Sequence, residues 1–324
     1  MGLFNSYEEI KQWRQDTIQS VEGDHADLNA FHDQIMNHTF TLALEKVKSE
    51  QGEPPAPFVF FLMGSAGRYE QSIWSDQDHG ILFRGDDVHQ SYFLQLGEEI
   101  STGLGVTGYE KCDGNVMASN PLWCQPVEVF KQQITDWLNE ESWQTLRNFS
   151  IFFDSRSFHG EDELLLEAKQ HSFSLIDGHP HLYERLMDNF EYMKKGVGVF
   201  GQLLPDQKDA GKNELHLKHT VYFPYVNALR LLALKKNLTT ASTISRFEQL
   251  RFFYPFIATY EKDFRRFLEL RLLLKKGEES YEKVHLLSIE KLSKKDKQEL
   301  KHLIRRGQRL FTSVTSVMKE EVPS

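Results

Sequence analysis

Two aspartates, Asp76 and Asp78, stand one residue apart and lead into the apolar residues 80–83. Alternate residues of a strand share a face, so a strand over residues 76–83 would point both carboxylates the same way. Two like charges on one face are costly unless a cation or a proton offsets them. Carboxylate oxygens are ligands that suit Mg²⁺. The pair therefore predicts a site for a divalent cation.

A Gly-Ser turn precedes this pair. Residues 58–63, FVFFLM, form an unbroken apolar run typical of a buried strand, and the run ends at Gly64 and Ser65. Glycine lets the backbone approach a bound group closely, and Ser65 can cap a following helix whose free N–H groups favour anions. Because Mg²⁺ binds nucleotides through carboxylates and the phosphates themselves, the stretch predicts a metal-and-phosphate site.

The composition limits what surrounds this site. The chain has 324 residues, enough for about two domains, with 26% charged and 40% hydrophobic residues. A net charge of −9 argues against bulk nucleic-acid binding. The spacing of Cys112 and Cys124 fits no zinc motif, and reduced thiols are expected. No apolar run is long enough for a membrane helix, and the first residues lack the apolar core of a signal peptide, so we expect a cytoplasmic protein.

Several elements must position the site. Helices are predicted over residues 6–50, and residues 53–57, EPPAP, stop the helical part before the first strand. The next predicted elements are a helix over 88–100, glycine breaks at 103, 105 and 108, a short strand near 106–109, a loop to 123, a helix over 127–138 and a strand over 148–154 that ends on Asp154. Beyond residue 161 the pattern is helical, including helices over 181–203, 219–236 and 288–317.

The segment GSAGRYEQSIWSDQDHGILF resembles the bacterial nucleotidyltransferases of domain of unknown function 294, within the superfamily of DNA polymerase beta. It is also similar to the uridylyltransferase that modifies the PII nitrogen-signalling protein. The resemblance extends over FFDSRSFHG and YEKCDGNVMASNPLW and spans about residues 31–250. It implies an α+β fold, in which a small mixed sheet with flanking helices is followed by an all-helical C-terminal domain. The segments would be 1–57, 58–177 and 178–324.

The resemblance also assigns roles to residues. Asp76, Asp78 and Asp154 match three catalytic carboxylates that bind the metal, and Gly64, Ser65, Arg68 and Lys218 match nucleotide-binding positions. Arg68 could equally pair with Glu70 or Asp76 to hold the turn, and Lys218 could be a plain surface lysine. Two positions depart from the family: His79 stands where relatives often have asparagine, and Asn115 where they have glycine.

The implied activity is transfer of a nucleoside monophosphate from a triphosphate such as ATP to a hydroxyl of a protein or small molecule, with release of pyrophosphate. Two Mg²⁺ ions, or Mn²⁺ in their place, would assist, and the uridylyltransferase likeness favours a role in signal transduction. The alternatives are a nucleotide-binding sensor that has lost turnover and regulates a protein partner, and a purely structural helical protein. His216 and His219 could share a helix face with a metal, although packing is favoured. The sequence gives no oligomeric state.

Overall fold

The computed structural model describes residues 4–190, 194–206, 213–277 and 280–321. The chain divides into two compact units, Met1–Leu175 and Ile176–Ser324. The first unit mixes helices with a small sheet and the second is mainly helical, which confirms the predicted fold class. The division into three functional segments at residues 57 and 177 stays a prediction.

The first unit is built on a four-stranded mixed sheet. Strand β1 lies antiparallel to both β3 and β6, while β3 pairs with β5 in parallel, giving the order β5-β3-β1-β6. Two further short strands, β2 and β4, pair in parallel beside this sheet. The strands are β1 Phe58–Leu62, β2 Asp76–Gln77, β3 His79–Phe83, β4 Glu110–Lys111, β5 Cys124–Pro126 and β6 Arg156–Gly160.

Seven α-helices begin among the residues of this unit that the structure describes, and several have side-chain caps. Ser6 and Asp24 accept hydrogen bonds from backbone N–H groups at the starts of the first two helices, which fixes where each begins. One face of the sheet, through Phe60 and Leu62, packs against the first, second and fourth helices. The helices are α1 Tyr7–Val21, α2 His25–Gln51, α3 Gly64–Gly67, α4 Gln90–Thr107, α5 Val127–Glu140, α6 Trp143–Phe153 and α7 Asp162–Gly178.

The strand predicted over residues 148–154 is wrong, because these residues belong mainly to helix α6. Ser142 caps this helix by accepting a hydrogen bond from Thr145 N, and the buried residues Leu146, Phe149 and Phe153 follow helical spacing. The helical periodicity could not be recognised within the run FSIFF, because a short apolar run fits a buried strand and a buried helix equally well. The strand of this region is β6, which begins after Asp154.

Of the glycine breaks predicted at residues 103, 105 and 108, only the one at Gly108 is confirmed, since Gly108 ends helix α4 with φ +100. Gly103 and Gly105 lie inside helix α4, which continues to Thr107, and the strand that follows is β4 rather than a strand over 106–109. A Cβ on Gly103 would lie 2.6 Å from the ring of Tyr7, so this glycine allows α1 to approach α4 closely.

The second unit has five helices and one small antiparallel pair of strands among its described residues. The pair, β7 Glu214–His216 and β8 Leu286–Ser288, was not predicted. The predicted helix over 181–203 is described only to Phe190; residues 191–193 lie outside the described residues, and Val197 pairs with Leu203 in a β-bridge. The helices are α8 His181–Phe190, α9 Phe223–Lys235, α10 Thr243–Leu250, α11 Ala258–Lys275 and α12 Lys294–Glu321.

Within the described ranges, no helix combines the length and apolarity needed to cross a membrane.

A buried histidine joins α2 to the loop before β2. His32 Nε2 lies 2.9 Å from the carbonyl oxygen of Ser72, and His32 Nδ1 lies 2.7 Å from the hydroxyl of Tyr109. A carbonyl only accepts, so Nε2 carries the proton and Nδ1 accepts from the tyrosine. Burial lowers the pKa of His32 to about 3, so the folded protein keeps this imidazole neutral.

This neutral histidine makes stability depend on pH. Below about pH 6.5 the unfolded chain binds a proton on His32 that the folded chain excludes, so the unfolding free energy falls as the pH drops toward 3, by up to about 1.4 kcal/mol per unit. When unfolding in urea is measured between pH 6.5 and 4.5, the unfolding free energy of His32→Gln should fall less steeply with pH than that of the wild type. The two slopes should differ by about 1 kcal/mol per pH unit. Equal slopes for the two proteins would contradict the buried neutral imidazole.

Candidate functional site

The two predicted carboxylates lie on one side of the chain where β2 meets β3. Asp76 and Asp78 are half-buried, whereas the intervening Gln77 and the following His79 are fully buried, as the alternation predicts. One carboxylate oxygen from each aspartate and the sulfur of Cys112 all lie within 4.8 Å of one another. The described structure therefore gathers three ligand atoms at this point, two oxygens and one sulfur.

Cys112 was not predicted as a site residue. The parallel pairing of β2 with β4 sets Asp76 opposite Glu110, so continuing the register brings Asp78 beside Cys112. Burial first, and then the hydrogen-bonded Asp78 carboxylate, raise the pKa of the Cys112 thiol to about 12. Strand pairing between residues 34 positions apart leaves no pattern in the local sequence. The position of the Cys112 thiol beside Asp78 could therefore not be predicted from residue spacing.

The Gly-Ser turn begins directly against Asp78. Gly64 has φ +55, and a Cβ there would lie 2.0 Å from an oxygen of the Asp78 carboxylate, so only glycine fits. Met63 N donates to the carbonyl oxygen of Asp78 at 2.8 Å, which ties the end of β1 to the acidic pair. The hydroxyl of Ser65 lies 3.2 Å from that of Ser75. The turn and the carboxylates therefore form one compact structure.

A buried ion cluster lies beneath the turn. Arg68 donates from Nε to Glu70 at 2.9 Å and from Nη1 to Asp154 at 2.8 Å. Arg68 is 6% exposed and both carboxylates are fully buried. Of the roles left open for Arg68, the structure shows the one in which it pairs with Glu70, and it adds Asp154 as a second partner.

Asp154 lies at the C-terminal end of α6 and is held from several sides. Lys169 donates to the carbonyl oxygens of Phe153 and Ser155, the residues on either side of Asp154, at 3.2 and 2.6 Å. A Cβ on Gly67 would lie 2.2 Å from the carbonyl oxygen of Asp154, so the turn packs on this backbone. Among the described residues, Asp154 is outside the group of ligand atoms within 4.8 Å. Its predicted metal-binding role stays a prediction.

Arg156 fastens the turn from outside. Its Nε donates to the carbonyl oxygen of Ala66 at 3.0 Å, and its Nη2 donates to Asp33 of α2 at 2.5 Å. The guanidinium also lies 3.9 Å from the centre of the Tyr69 ring, a residue with φ +58. A non-glycine residue in this region is strained, and the surrounding contacts hold it there.

The two departures from the family pattern both have a structural role. His79 Nδ1 accepts from Ala118 N at 3.1 Å, and Nε2 lies 3.2 Å from Gln77 Oε1, so His79 joins β3 to the loop that carries Cys112. Burial lowers the pKa of His79 to about 3, which keeps it neutral. Asn115 has φ +52, which explains why glycine suits the position; asparagine is among the residues that tolerate it best.

The remaining predicted nucleotide ligand, Lys218, lies in the second unit. It begins a π-helical turn over Lys218–Tyr222, and its Nζ lies 5.8 Å from the centre of the Phe223 ring. The rings of His216 and His219 lie 4.3 Å apart, and burial lowers the pKa of each to about 4. Neither histidine belongs to a group of three metal-ligand atoms among the described residues. The nucleotide-binding role of Lys218 stays a prediction.

The residues around Asp78 fit a divalent cation. Asp76 and Asp78 each bring one carboxylate oxygen to the same point, and Gly64 packs so closely on the Asp78 carboxylate that a Cβ there would lie 2.0 Å from one of its oxygens. Because these oxygens are only half-buried, water or phosphate oxygens can complete the octahedral coordination that Mg²⁺ requires. Chemically, the arrangement can hold a cation beside a turn.

The Arg68 cluster should contribute strongly to stability. Asp154→Ala removes a carboxylate that pairs with the buried Arg68 guanidinium, so we expect the unfolding free energy to fall by about 3–5 kcal/mol. Glu128→Ala, which breaks the exposed pair of Glu128 with Lys131 on α5, serves as the control and should cost less than about 1 kcal/mol. Chemical denaturation measures both, and similar small losses would contradict the cluster's role.

Comparison with known proteins agrees with this geometry. Residues 11–144 match the family model described as putative nucleotidyltransferase DUF294, and residues 180–317 match the model described as putative nucleotidyltransferase substrate binding domain. No match was found among the curated proteins. The two family matches cover most of the chain and confirm the resemblance drawn from the sequence. The chain belongs to the DUF294 family of nucleotidyltransferases.

Proposed function

We propose that this protein is a Mg²⁺-dependent nucleotidyltransferase that moves a nucleoside monophosphate from a triphosphate to a hydroxyl of a protein or small molecule and releases pyrophosphate. One observation carries the proposal: the Asp76 and Asp78 carboxylates lie together at the start of a Gly-Ser turn, with Gly64 packed against Asp78. A divalent cation would favour the charged form of both carboxylates. The family membership supports the same reaction class.

Each residue of the site has a defined part in this proposal. Asp76 and Asp78 would hold the cation, which would supply charge neutralisation for the phosphates and a lower pKa for the acceptor hydroxyl. Gly64 and Ser65 bring the backbone of the turn close to the triphosphate. Because the protein forms no covalent bond with the substrate here, its contribution is positioning and electrostatic stabilisation.

Asp154 and Arg68 act in this proposal mainly as positioning residues. Their buried pair fixes the turn relative to the acidic pair, because Arg68 follows the turn and Asp154 ends α6. The second Mg²⁺ implied by the resemblance would draw on Asp154, whose carboxylate would then have to share its interaction with Arg68.

The second unit is the proposed place of acceptor recognition. Its match to a substrate-binding domain covers residues 180–317, and Lys218 lies within it. We propose that this unit selects the acceptor and that Lys218 contacts phosphate. Both assignments depend on the family description rather than on a contact seen in the structure.

One observation favours a second candidate, a nucleotide-binding sensor without turnover. The carboxylate that relatives use as the third metal ligand is paired with Arg68 here, and only two carboxylates remain in the ligand group of the described residues. Two carboxylates suffice to bind a Mg²⁺–nucleotide complex. Such a protein would bind triphosphate and release no pyrophosphate.

Transfer of label from nucleoside triphosphates tests the proposal. Purified protein with Mg²⁺, a cell extract and each α-labelled triphosphate should yield a labelled product, with pyrophosphate released in equal amount. Asp76→Asn should lower this rate by at least about 100-fold, because the lost carboxylate removes several kcal/mol of charge stabilisation.

The stability of the same variant provides the control. Asp76→Asn should unfold at the same or slightly higher denaturant concentration without metal, because one of two adjacent anions is gone. Undiminished turnover of the folded variant would contradict the assignment of Asp76. Metal-dependent nucleotide binding with no labelled product for any triphosphate would favour the sensor.

A further inference from the structure

The third ligand atom near Asp76 and Asp78 is a sulfur, and this has consequences for the metal. Mg²⁺ prefers oxygen and gains little from a thiol, whereas Zn²⁺ and Co²⁺ bind thiolate well. We propose that Asp76, Asp78 and Cys112 form a binding site for a thiophilic divalent cation of the Zn²⁺ class, and that this cation inhibits the enzyme by excluding Mg²⁺. The inhibition rests on the proposed function; the metal site itself does not.

The geometry suits such a cation. In a tetrahedral zinc site with Zn–S near 2.3 Å and Zn–O near 2.1 Å, ligand atoms lie about 3.4–3.6 Å apart. The three atoms here all lie within 4.8 Å of one another, so movements of about 1 Å in half-buried side chains bring them to that spacing. The fourth position remains for water, which the partial exposure of all three residues permits.

Two separate strand pairs hold the ligands in place. Asp76 lies in β2, whose parallel pairing with β4 brings Cys112 alongside, and the backbone carbonyl of Asp78 accepts from Met63 N at the end of β1. The sulfur therefore reaches the site through backbone register rather than through a flexible side chain alone. When the sulfur–metal bond forms, the thiol proton is released to solvent, and its hydrogen bond to Asp78 is replaced by coordination of both groups to one cation.

Competition with Mg²⁺ follows from the shared ligands. Both cations need Asp76 and Asp78, but only the thiophilic cation gains the third bond from Cys112. First-row divalent metals near zinc also bind such sites more tightly than the earlier members of the series. Cys112 thus acts as a specificity-determining residue that favours the wrong metal for nucleotidyl transfer.

Cobalt absorption tests the site without any assay of activity. Co²⁺ bound by a thiolate gives a near-ultraviolet charge-transfer band, which oxygen ligands alone do not give. The full-length wild-type protein titrated with Co²⁺ should show this band, and added Zn²⁺ should remove it. Cys112→Ser should lack the band, whereas Cys124→Ala should keep it, because these are the two cysteines of the chain and Cys124 is buried in β5.

Several results would overturn the metal site. A wild-type protein without the band, or a band that persists in Cys112→Ser, excludes the sulfur as a ligand. Asp76→Asn, which leaves the thiol in place, should weaken Co²⁺ binding by at least about tenfold. Unchanged affinity in that variant would show that the carboxylates take no part.

Zinc inhibition tests the second half of the inference. At fixed Mg²⁺, the Zn²⁺ concentration for half-inhibition of label transfer should rise at least about tenfold in Cys112→Ser and stay unchanged in Cys124→Ala. Equal zinc sensitivity of wild type and Cys112→Ser would contradict the inhibitory role. If the wild type shows the cobalt band but transfers no label, the proposed function fails while the metal site stands.

Discussion

Repulsion between the Asp76 and Asp78 carboxylates is the constraint on which the site depends. Their separation by one residue, where β2 meets β3, places both charges on one side, and strand pairing on either side of Asp78 holds the backbone that carries them. The buried neighbours Gln77 and His79 use the opposite side, where their polar groups are hydrogen-bonded within the fold. A protein that holds two anions so firmly favours a cation between them, which is the basis of the proposed reaction.

The surrounding structure keeps this arrangement rigid. Gly64 packs on the Asp78 carboxylate, and Gly67, one turn later, packs on the backbone of Asp154. Between them the chain enters the ion cluster in which Arg68 binds both Glu70 and Asp154. Because breaking any part of a buried charge cluster is costly, the position of the turn relative to the carboxylates is fixed before any ligand binds. Preorganisation of this kind is what positioning catalysis requires.

Sequence reasoning found the parts of the site that are local. The apolar strand and the alternation of Asp76 and Asp78 are each written in fewer than ten consecutive residues, and the structure contains them. The predicted cap by Ser65 is wrong, because Gly64 and Ser65 both lie inside the four-residue helix α3, which follows Met63 and has no side-chain cap. At Asn115 the sequence showed only a departure from the family, and the positive φ found in the structure explains the glycine of relatives. A local sequence pattern is enough to predict a part of the site that a single helix, strand or turn forms.

What the sequence could not provide depends on pairing between distant segments. Cys112 comes beside Asp78 only through the parallel register of β2 and β4. The guanidinium of Arg68 could pair with any of several carboxylates, and only the folded chain shows that Asp154 is one of its partners. The error over residues 148–154 has a different cause. Five consecutive residues with three phenylalanines and an isoleucine suit a strand by composition, while the helical spacing appears only when Leu146 and the Ser142 cap are included.

The central claim is that Asp76 and Asp78 bind a nucleotide through a divalent cation. Calorimetric titration with a non-hydrolysable triphosphate, with Mg²⁺ and with a chelator, measures this directly. We expect binding with Mg²⁺, binding at least about tenfold weaker in the presence of the chelator, and loss of the metal effect in folded Asp78→Asn. Triphosphate binding of equal affinity with and without Mg²⁺, or a full metal effect in Asp78→Asn, would contradict it.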